Sequence, residues 1–264
     1  MNINNEIIDD YKNHGVTLLK NVISNDWLEK LATGIEKNFE NPSQYKCVYE
    51  EDNDKEIFYD DYCNWQRIEE YKDFIYNSGI AKISAQLMQS KKVNLFHEHI
   101  LIKEPGATKR TPWHQDQPYY CVDGNDNCSL WIPLDKISKE VCPEFVKNSH
   151  TWNKKYLPTK FFGHSYEKKD DEFDTIPDIS GNRKNYDIAS WELNPGDLIA
   201  FNFSIIHGAP GNSSINRRRA FSVRFVGDDA TFAKRKGEVS PPFPEVKLKH
   251  GDKMNSPFFP EIEF

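Results

Sequence analysis

Thr111-Pro112-Trp113-His114-Gln115-Asp116 is a short segment with a His-x-Asp pair, and it lies between two strand-like runs. Residues two apart in an extended strand point to the same side, so His114 and Asp116 are expected to converge on one point. A second imidazole must come from farther along the chain, and His207, in Phe201-Asn202-Phe203-Ser204-Ile205-Ile206-His207-Gly208, is placed to supply it. Two histidines and one carboxylate leave open positions on a metal, which suits non-haem Fe(II). These three residues are the predicted metal ligands.

The sequence around this segment changes character at Lys92. Upstream, apolar residues at helical spacing predict helices over 5–12, 24–39 and 67–89, the last divided at Ser78-Gly79, with a short strand at 16–19. Downstream, β-like runs predict strands at 93–103, 127–134, 144–147, 186–192, 197–203 and 219–226. Helices followed by many short strands predict a mainly β fold whose core is buttressed by N-terminal helices. The jelly roll, or double-stranded β-helix, is the two-sheet form of such a core and leaves a cavity at its mouth.

We expect one domain over 1–264, because a chain of this length can build a full core. Its predicted parts are helical support at 1–91, a jelly-roll core at 92–226 with an insert at 148–184, and an irregular tail at 227–264. The insert is too long for an ordinary connection, which is typical of a lid. Residues 40–64 are acidic and aromatic without a clean period, so they form either a loop or a region ordered by tertiary packing. These two segments are the predicted specificity elements.

Composition excludes several classes of partner. The formal net charge is -7, so a basic surface for nucleic acid or anionic membrane is not expected. The five cysteines form no CxxC pair, which favours free thiols in a reducing compartment. The first residues are polar and acidic, unlike a signal peptide, and no apolar run approaches the length of a membrane span. We therefore expect a cytoplasmic protein that acts on a small molecule.

Five ordered motifs carry a family resemblance: HILIKEPG, TPWHQDQPYY, SLWIPL, NPGDLIAFNFSIIHGAPGN and RRRAFSVRFVGDD. From about Tyr11 to Phe243 the chain resembles the phytanoyl-CoA dioxygenase family of Fe(II)/2-oxoglutarate oxygenases. The resemblance implies a double-stranded β-helix in which His114, Asp116 and His207 hold Fe(II). It also implies that 2-oxoglutarate is the cosubstrate and O2 the oxidant, with release of succinate and CO2.

The resemblance further implies an arginine 11 residues after the second histidine, at Arg218, that binds the distal carboxylate of 2-oxoglutarate. Arg217 and Arg219 flank it, but strand alternation puts Arg218 on the inner face if Arg219 is on the outer one. A planar guanidinium suits this task because it holds a carboxylate with two parallel hydrogen bonds. Other residues implied to line the 2-oxoglutarate pocket are His99, Leu101 and Trp131, with Ser129 as a hydroxyl donor.

Two positions depart from the family pattern. Ala209 stands where a serine is frequent, so one hydrogen bond must come from another residue. Lys147-Asn148-Ser149-His150 replaces the usual Pro-Gly-Ser-His after the third strand. Asp116 itself is informative, because related halogenases have Gly or Ala there. A carboxylate at this position favours hydroxylation, desaturation or oxidative cyclisation of an unactivated C–H bond over chlorination.

Substrate contacts are predicted next to the metal pair. Gln117, Tyr119 and Tyr120 either contact substrate or, for the tyrosines, pack the loop. Arg224 either binds a carboxylate of the substrate or pairs with Asp228 or Asp229. Of His97 and His99, which share a strand face, one is expected to pack in the core and the other to line the pocket.

Two other functions are compatible with the same ligands. One is a cupin-like metal isomerase or hydrolase that works without 2-oxoglutarate, and the predicted role of Arg218 speaks against it. The other is a catalytically silent binding module, which the intact ligand set disfavours.

Overall fold

A computed structural model of the protein describes residues 3–49, 57–158 and 173–264. The helices of this part of the chain are α1 (Asn5–His14), α2 (Asn25–Glu40), α3 (Glu69–Asn77) and α4 (Ile80–Met88). The strands are β1 (Val16–Leu19), β2 (Cys47–Tyr49), β3 (Phe58–Tyr62), β4 (Asn94–Lys103), β5 (Thr111–His114), β6 (Val122–Asp123), β7 (Asn127–Pro133), β8 (Glu144–Val146), β9 (Ile188–Ala189), β10 (Leu198–Phe201), β11 (His207–Ala209), β12 (Arg218–Val226) and β13 (Thr231–Phe232).

The strands form two facing antiparallel sheets. The larger has the order β1-β10-β7-β12-β4-β3-β2, and the smaller has the order β5-β11-β8-β9. A separate ribbon pairs β13 with β6. From β4 to β12 the chain crosses repeatedly between the two sheets, as in the predicted jelly roll, which is confirmed.

The helices form where local sequence favours them and cover one face of the larger sheet. The side chain of Asn4 accepts a hydrogen bond from the backbone N–H of Ile7 and so caps α1. Helix α2 continues without a break through Gly34. A Cβ at this position would lie 2.6 Å from the ring of Tyr71, so the glycine makes room for α3 to pack closely.

The main core lies between these helices and the outer face of the larger sheet. Alternate residues of β12 point into it, namely Phe221, Val223 and Phe225, each fully buried. The ring of Phe221 contacts those of Tyr71 and Phe74 on α3. Because strand residues alternate, the neighbours of these three residues point to the space between the two sheets.

The described parts of the segment 40–64, residues 40–49 and 57–64, are ordered by tertiary packing, the second of the two expected outcomes. Strand β3 pairs with β4, and β2 pairs with β3, so this segment extends the larger sheet. Residues 50–56 lie outside the described part of the chain. The same holds for residues 159–172, so the predicted lid at 148–184 is described only at its two ends.

Cysteine chemistry follows the expectation. All five cysteines are free, and burial raises the pKa of Cys121 and of Cys128 to about 12, which makes both thiols inert. Among the described helices, none has the length and apolar character needed to cross a bilayer.

Candidate active site

The three predicted ligands meet between the sheets. His114 ends β5 and His207 begins β11, and the two are partners in the register of these strands. Asp116 lies just past the strand, where the chain turns into a 3-10 helix at Gln117–Tyr119. The expected extended conformation therefore holds only as far as His114. The carboxylate still converges on the histidines, because the backbone N–H of Asp116 donates to the Phe203 carbonyl at 2.9 Å.

The distances fit one metal ion. One potential ligand atom from each residue lies within 4.8 Å of the other two. Asp116 Oδ1 is 3.4 Å from His114 Nε2 and 3.9 Å from His207 Nε2. Within the described residues this is the one cluster of three or more metal-binding side chains. A facial set of two histidines and one carboxylate is the donor set that Fe(II) oxygenases use.

Backbone carbonyls orient both imidazoles. His114 Nδ1 lies 2.8 Å from the Pro112 carbonyl, and His207 Nδ1 lies 3.1 Å from the Ile205 carbonyl. Each Nδ1–H donates to its carbonyl, which leaves the Nε2 lone pair for a metal. The hydroxyl of Tyr119 donates to Asp116 Oδ1 and fixes the third ligand.

The charges of the ligands also suit a cation. Burial lowers the pKa of His207 to about 4, and the neighbouring His114 acts in the same direction, so the ring is neutral at neutral pH. Burial would raise the pKa of Asp116, but His207, His114 and Arg224 outweigh it and hold this pKa well below its ordinary value. The site thus presents a neutral imidazole at His207 and a carboxylate at Asp116, which are the protonation states that metal binding requires.

A cavity of about 440 Å³ opens beside the ligands. Arg218 lines it and is 4% exposed, and its Nη1 donates to the Val141 carbonyl. Burial lowers the pKa of Arg218 to about 10, so it keeps its charge at neutral pH. Arg217 and Arg219 instead pair with Glu104 and Asp135 outside the cavity. The structure thus brings Arg218, and neither neighbour, to the metal cluster.

Most other predicted pocket residues line the same cavity. They are His99, Leu101 and Trp131. Ser129 is fully buried and does not line the cavity, and its hydroxyl has no hydrogen-bond partner. Ser222 does line it, on the same strand face as Arg218, and its buried hydroxyl has no hydrogen-bond partner. Ser222 is placed to supply the hydrogen bond that Ala209 lacks.

Three of the four predicted substrate residues line the cavity. Tyr119, Tyr120 and Arg224 line the cavity, whereas the amide of Gln117 points away and its Nε2 donates to the Val122 carbonyl. His97 and His99 both line the cavity and neither joins the metal cluster. His97 is also 2% exposed and packs against the rings of Tyr120 and Phe243, as expected of the core histidine.

Arg224 does not pair with either proposed aspartate. The carboxylate of Asp228 accepts from the backbone N–H groups of Lys91 and Lys92. Asp229 accepts in the same way from Asn125 and Asp126. Arg224 turns inward, with Nε 3.9 Å from Asp116 Oδ2. The pairing predicted from sequence was wrong because backbone groups at the strand ends satisfy both aspartates.

Sequence reasoning missed two parts of the cavity wall. The first comes from β2 and β3 and consists of Cys47, Tyr49, Phe58, Asp60 and Tyr62. The second is a strap of the C-terminal tail, residues 238–242. The acidic and aromatic composition of 40–64 singled out the right segment, but only the pairing of β3 with β4 shows which side chains face inward.

Comparisons with known proteins agree with this geometry. The model of the family described as Phytanoyl-CoA dioxygenase (PhyH) matches residues 11–220. A phytanoyl-CoA dioxygenase of Arabidopsis thaliana is 28% identical over 160 residues, which cover 60% of this chain and 53% of that protein. The alignment thus spans about half of the Arabidopsis relative. A probable phytanoyl-CoA dioxygenase of Caenorhabditis elegans is 24% identical over 240 residues, 83% of this chain and 74% of that protein.

Solved structures share the fold. The crystal structure of the non-heme alpha ketoglutarate dependent carbocyclase SnoK from nogalamycin biosynthesis has a TM-score of 0.77 at 19% identity, covering 99% of this chain and 97% of that one. EctD from S. alaskensis, solved with 2-oxoglutarate and 5-hydroxyectoine, has a TM-score of 0.70 at 15% identity, covering 95% and 85%. With the family match over most of its length, this chain belongs to the phytanoyl-CoA dioxygenase family, a family of Fe(II)- and 2-oxoglutarate-dependent oxygenases.

Proposed function

We propose that this protein uses Fe(II), 2-oxoglutarate and O2 to hydroxylate, desaturate or oxidatively cyclise an unactivated C–H bond of a small molecule. The observation that carries the proposal is the convergence of His114, Asp116 and His207 beside the buried Arg218 in one cavity. When bound there, Fe(II) would activate O2, the oxidant, and 2-oxoglutarate would supply two electrons and leave as succinate and CO2.

The residues of the chain have separate tasks in this proposal. His114, Asp116 and His207 would hold Fe(II), and this donor set would leave coordination positions for 2-oxoglutarate and O2. Arg218 binds the distal carboxylate of 2-oxoglutarate and so sets its direction in the cavity. Leu101 and Trp131 flank this path with apolar surface, which keeps water away from the reacting groups.

Arg218 supports this function over a metal isomerase or hydrolase without 2-oxoglutarate. No carboxylate of the described residues lies within ion-pair distance of its guanidinium, although the side chain is buried. A buried charge without a counter-ion is costly, so the cavity is suited to an anion supplied by a ligand. A silent binding module has no need for a complete metal site beside it.

The substrate is proposed to be small and polar. The cavity has to hold both 2-oxoglutarate and the substrate, and about 440 Å³ leaves room for a compact molecule. Asp60 faces it from β3 and is 2% exposed. Its Oδ2 accepts from the Tyr49 hydroxyl at 3.1 Å and lies 3.6 Å from His99 Nε2, while its Oδ1 has no hydrogen-bond partner. A substrate with an ammonium or hydroxyl donor satisfies this oxygen.

Succinate formation tests the proposal. The protein is loaded with Fe(II) without oxygen, then given 2-oxoglutarate, O2 and a panel of amino acids, amines and polyols. We expect succinate that depends on both Fe(II) and 2-oxoglutarate and that rises with at least one panel member. Asp60→Asn should lower the response to that compound but leave substrate-free succinate formation unchanged. No Fe(II)-dependent succinate would overturn the function, and no response to the whole panel would overturn the substrate class.

A further inference from the structure

Arg224 is a second buried arginine in the cavity, and its hydrogen-bonding capacity is largely unused. It lies on the same face of β12 as Arg218, six positions along, and is 5% exposed. Its Nε and Nη1 are buried and have no hydrogen-bond partner. The guanidinium carbon lies 5.9 Å from the centre of the Tyr120 ring, so one face of the group is covered.

The immediate neighbour of Arg224 is a metal ligand. Its Nε lies 3.9 Å from Asp116 Oδ2, which is near enough for charge attraction and too far for a hydrogen bond. Asp116 Oδ2 has no hydrogen-bond partner either. Asp116 Oδ1 is the oxygen that faces both histidines. Arg224 lies beside the other carboxylate oxygen, Oδ2, at the edge of the metal site.

A buried guanidinium with two unused N–H groups requires an acceptor. Asp116 is too far away to accept a hydrogen bond, so the acceptor has to come from a ligand, and it has to lie next to the metal site because Arg224 itself does. A chelating 2-oxo acid places a carboxylate at the metal by necessity. An anionic group of the substrate is the competing acceptor, and cosubstrate binding measured without substrate separates the two.

We infer that Arg224 binds the metal-end carboxylate of 2-oxoglutarate. With Arg218 at the distal carboxylate, the two inward-facing arginines of β12 hold both ends of the cosubstrate. Six residues of strand span about 20 Å between the two Cα positions, so the two long side chains have to lean toward each other to reach a short dicarboxylate. The inference rests on the proposed function, and it assigns Arg224 to the cosubstrate where its sequence context suggested the substrate.

Two acids test the two ends of the cosubstrate separately. Pyruvate keeps the 2-oxo carboxylate of 2-oxoglutarate and lacks the distal one. Binding of each acid is measured on protein saturated with Mn(II), without substrate, by the water-proton relaxation of Mn(II). The relaxation changes when a chelating acid displaces metal-bound water, so weak binding of pyruvate is also detected.

Arg224→Gln should weaken the binding of both acids by a similar factor, about 10- to 100-fold for the loss of charge-assisted hydrogen bonds. Arg218→Gln should weaken 2-oxoglutarate alone and leave pyruvate unchanged. Arg219→Gln is the matched control, because it lies on the same strand but pairs with Asp135 outside the cavity. It should change neither acid. Arg224→Lys should restore part of the affinity, and it serves as the test variant if Arg224→Gln fails to fold.

Three results would overturn the inference. Unchanged pyruvate binding in the Arg224 variants would show that Arg224 does not contact the metal-end carboxylate. A loss of Mn(II) affinity that accounts for the whole effect would show that Arg224 only positions Asp116. A wild-type protein that binds 2-oxoglutarate but not pyruvate even at high concentration would show that the metal end contributes no affinity of its own. If the Mn(II) protein binds no 2-oxoglutarate at all, the proposed function itself fails.

Discussion

His114 and His207 are direct partners in the pairing of β5 with β11, and their ring centroids lie 4.2 Å apart. The smaller sheet therefore joins the two imidazoles, although a large part of the chain separates them in sequence. The register shifts between His207 and Ala209, so the regular pairing ends just beyond the ligand. Such irregularities are common beside active sites, where they redirect a side chain.

Tyr119 should matter for metal affinity. Its hydroxyl donates to Asp116 Oδ1, the oxygen that faces both histidines. Loss of a hydrogen bond to a metal ligand typically costs 10- to 100-fold in affinity. We expect Tyr119→Phe to weaken Mn(II) binding by about 10-fold in an EPR titration. Tyr186→Phe, whose ring does not line the cavity, should bind Mn(II) like the wild type, and equal affinities for all three proteins would contradict the assignment.

Arg235 should hold the C-terminal strap in place. Its guanidinium donates to the carbonyls of Tyr120, Gln117 and Val122 and pairs with Asp123. Arg235→Ala leaves these acceptors without their donor, and we expect the free energy of unfolding to fall by roughly 2–4 kcal/mol. Urea denaturation measures this change. Lys234→Ala, an exposed neighbour, should shift stability by less than about 0.5 kcal/mol. Similar values for both variants would show that Arg235 does not anchor the strap.

Glu98 should make stability depend on pH. Burial raises its pKa to about 8, even though the Asn64 backbone N–H donates to its carboxylate. The folded state therefore holds a proton that the unfolded state releases above its ordinary value of 4.5. The contribution of Glu98 is complete below pH 4.5 and is lost as the pH rises through about 8.

Glu98→Gln removes this titration while keeping an acceptor for Asn64. The stability difference between wild type and variant should change across that window with a slope of up to about 1.4 kcal/mol per pH unit, in favour of the variant at high pH. Urea denaturation at several pH values measures it. A difference that is constant with pH would contradict a protonated Glu98.

Most of the site residues that could be predicted from sequence were predicted from the alternation of side chains along strands. On β12 it put Arg218 and Arg224 on the face opposite to Phe221, and on β4 it put His99 and Leu101 on one face. The ligand trio was accessible because each member lies in or beside a strand. Alternation along a strand shows on which face each side chain lies. It does not show which other strands pair with that strand.

The other residues of the cavity wall are placed by long-range contacts, which leave no periodic pattern in the local sequence. Asp60 faces the cavity because β3 pairs with β4, a long-range contact that composition does not encode. The strap is irregular backbone, held by Arg235 and by the Ser240 N–H donating to the Tyr119 carbonyl at 3.0 Å. The choice between a cavity role for Arg224 and a pairing with Asp228 or Asp229 depended on such contacts too, since backbone groups satisfy both aspartates.

The most direct test of the central claim is the Fe(II)-dependent conversion of 2-oxoglutarate to succinate by the wild type and by Asp116→Ala, measured with the iron content of each protein. The account predicts about one Fe(II) per wild-type chain and succinate formation that falls at least about 100-fold in the variant, together with its iron. Succinate formation by Asp116→Ala at the wild-type rate, or a wild type that binds no iron, would contradict it.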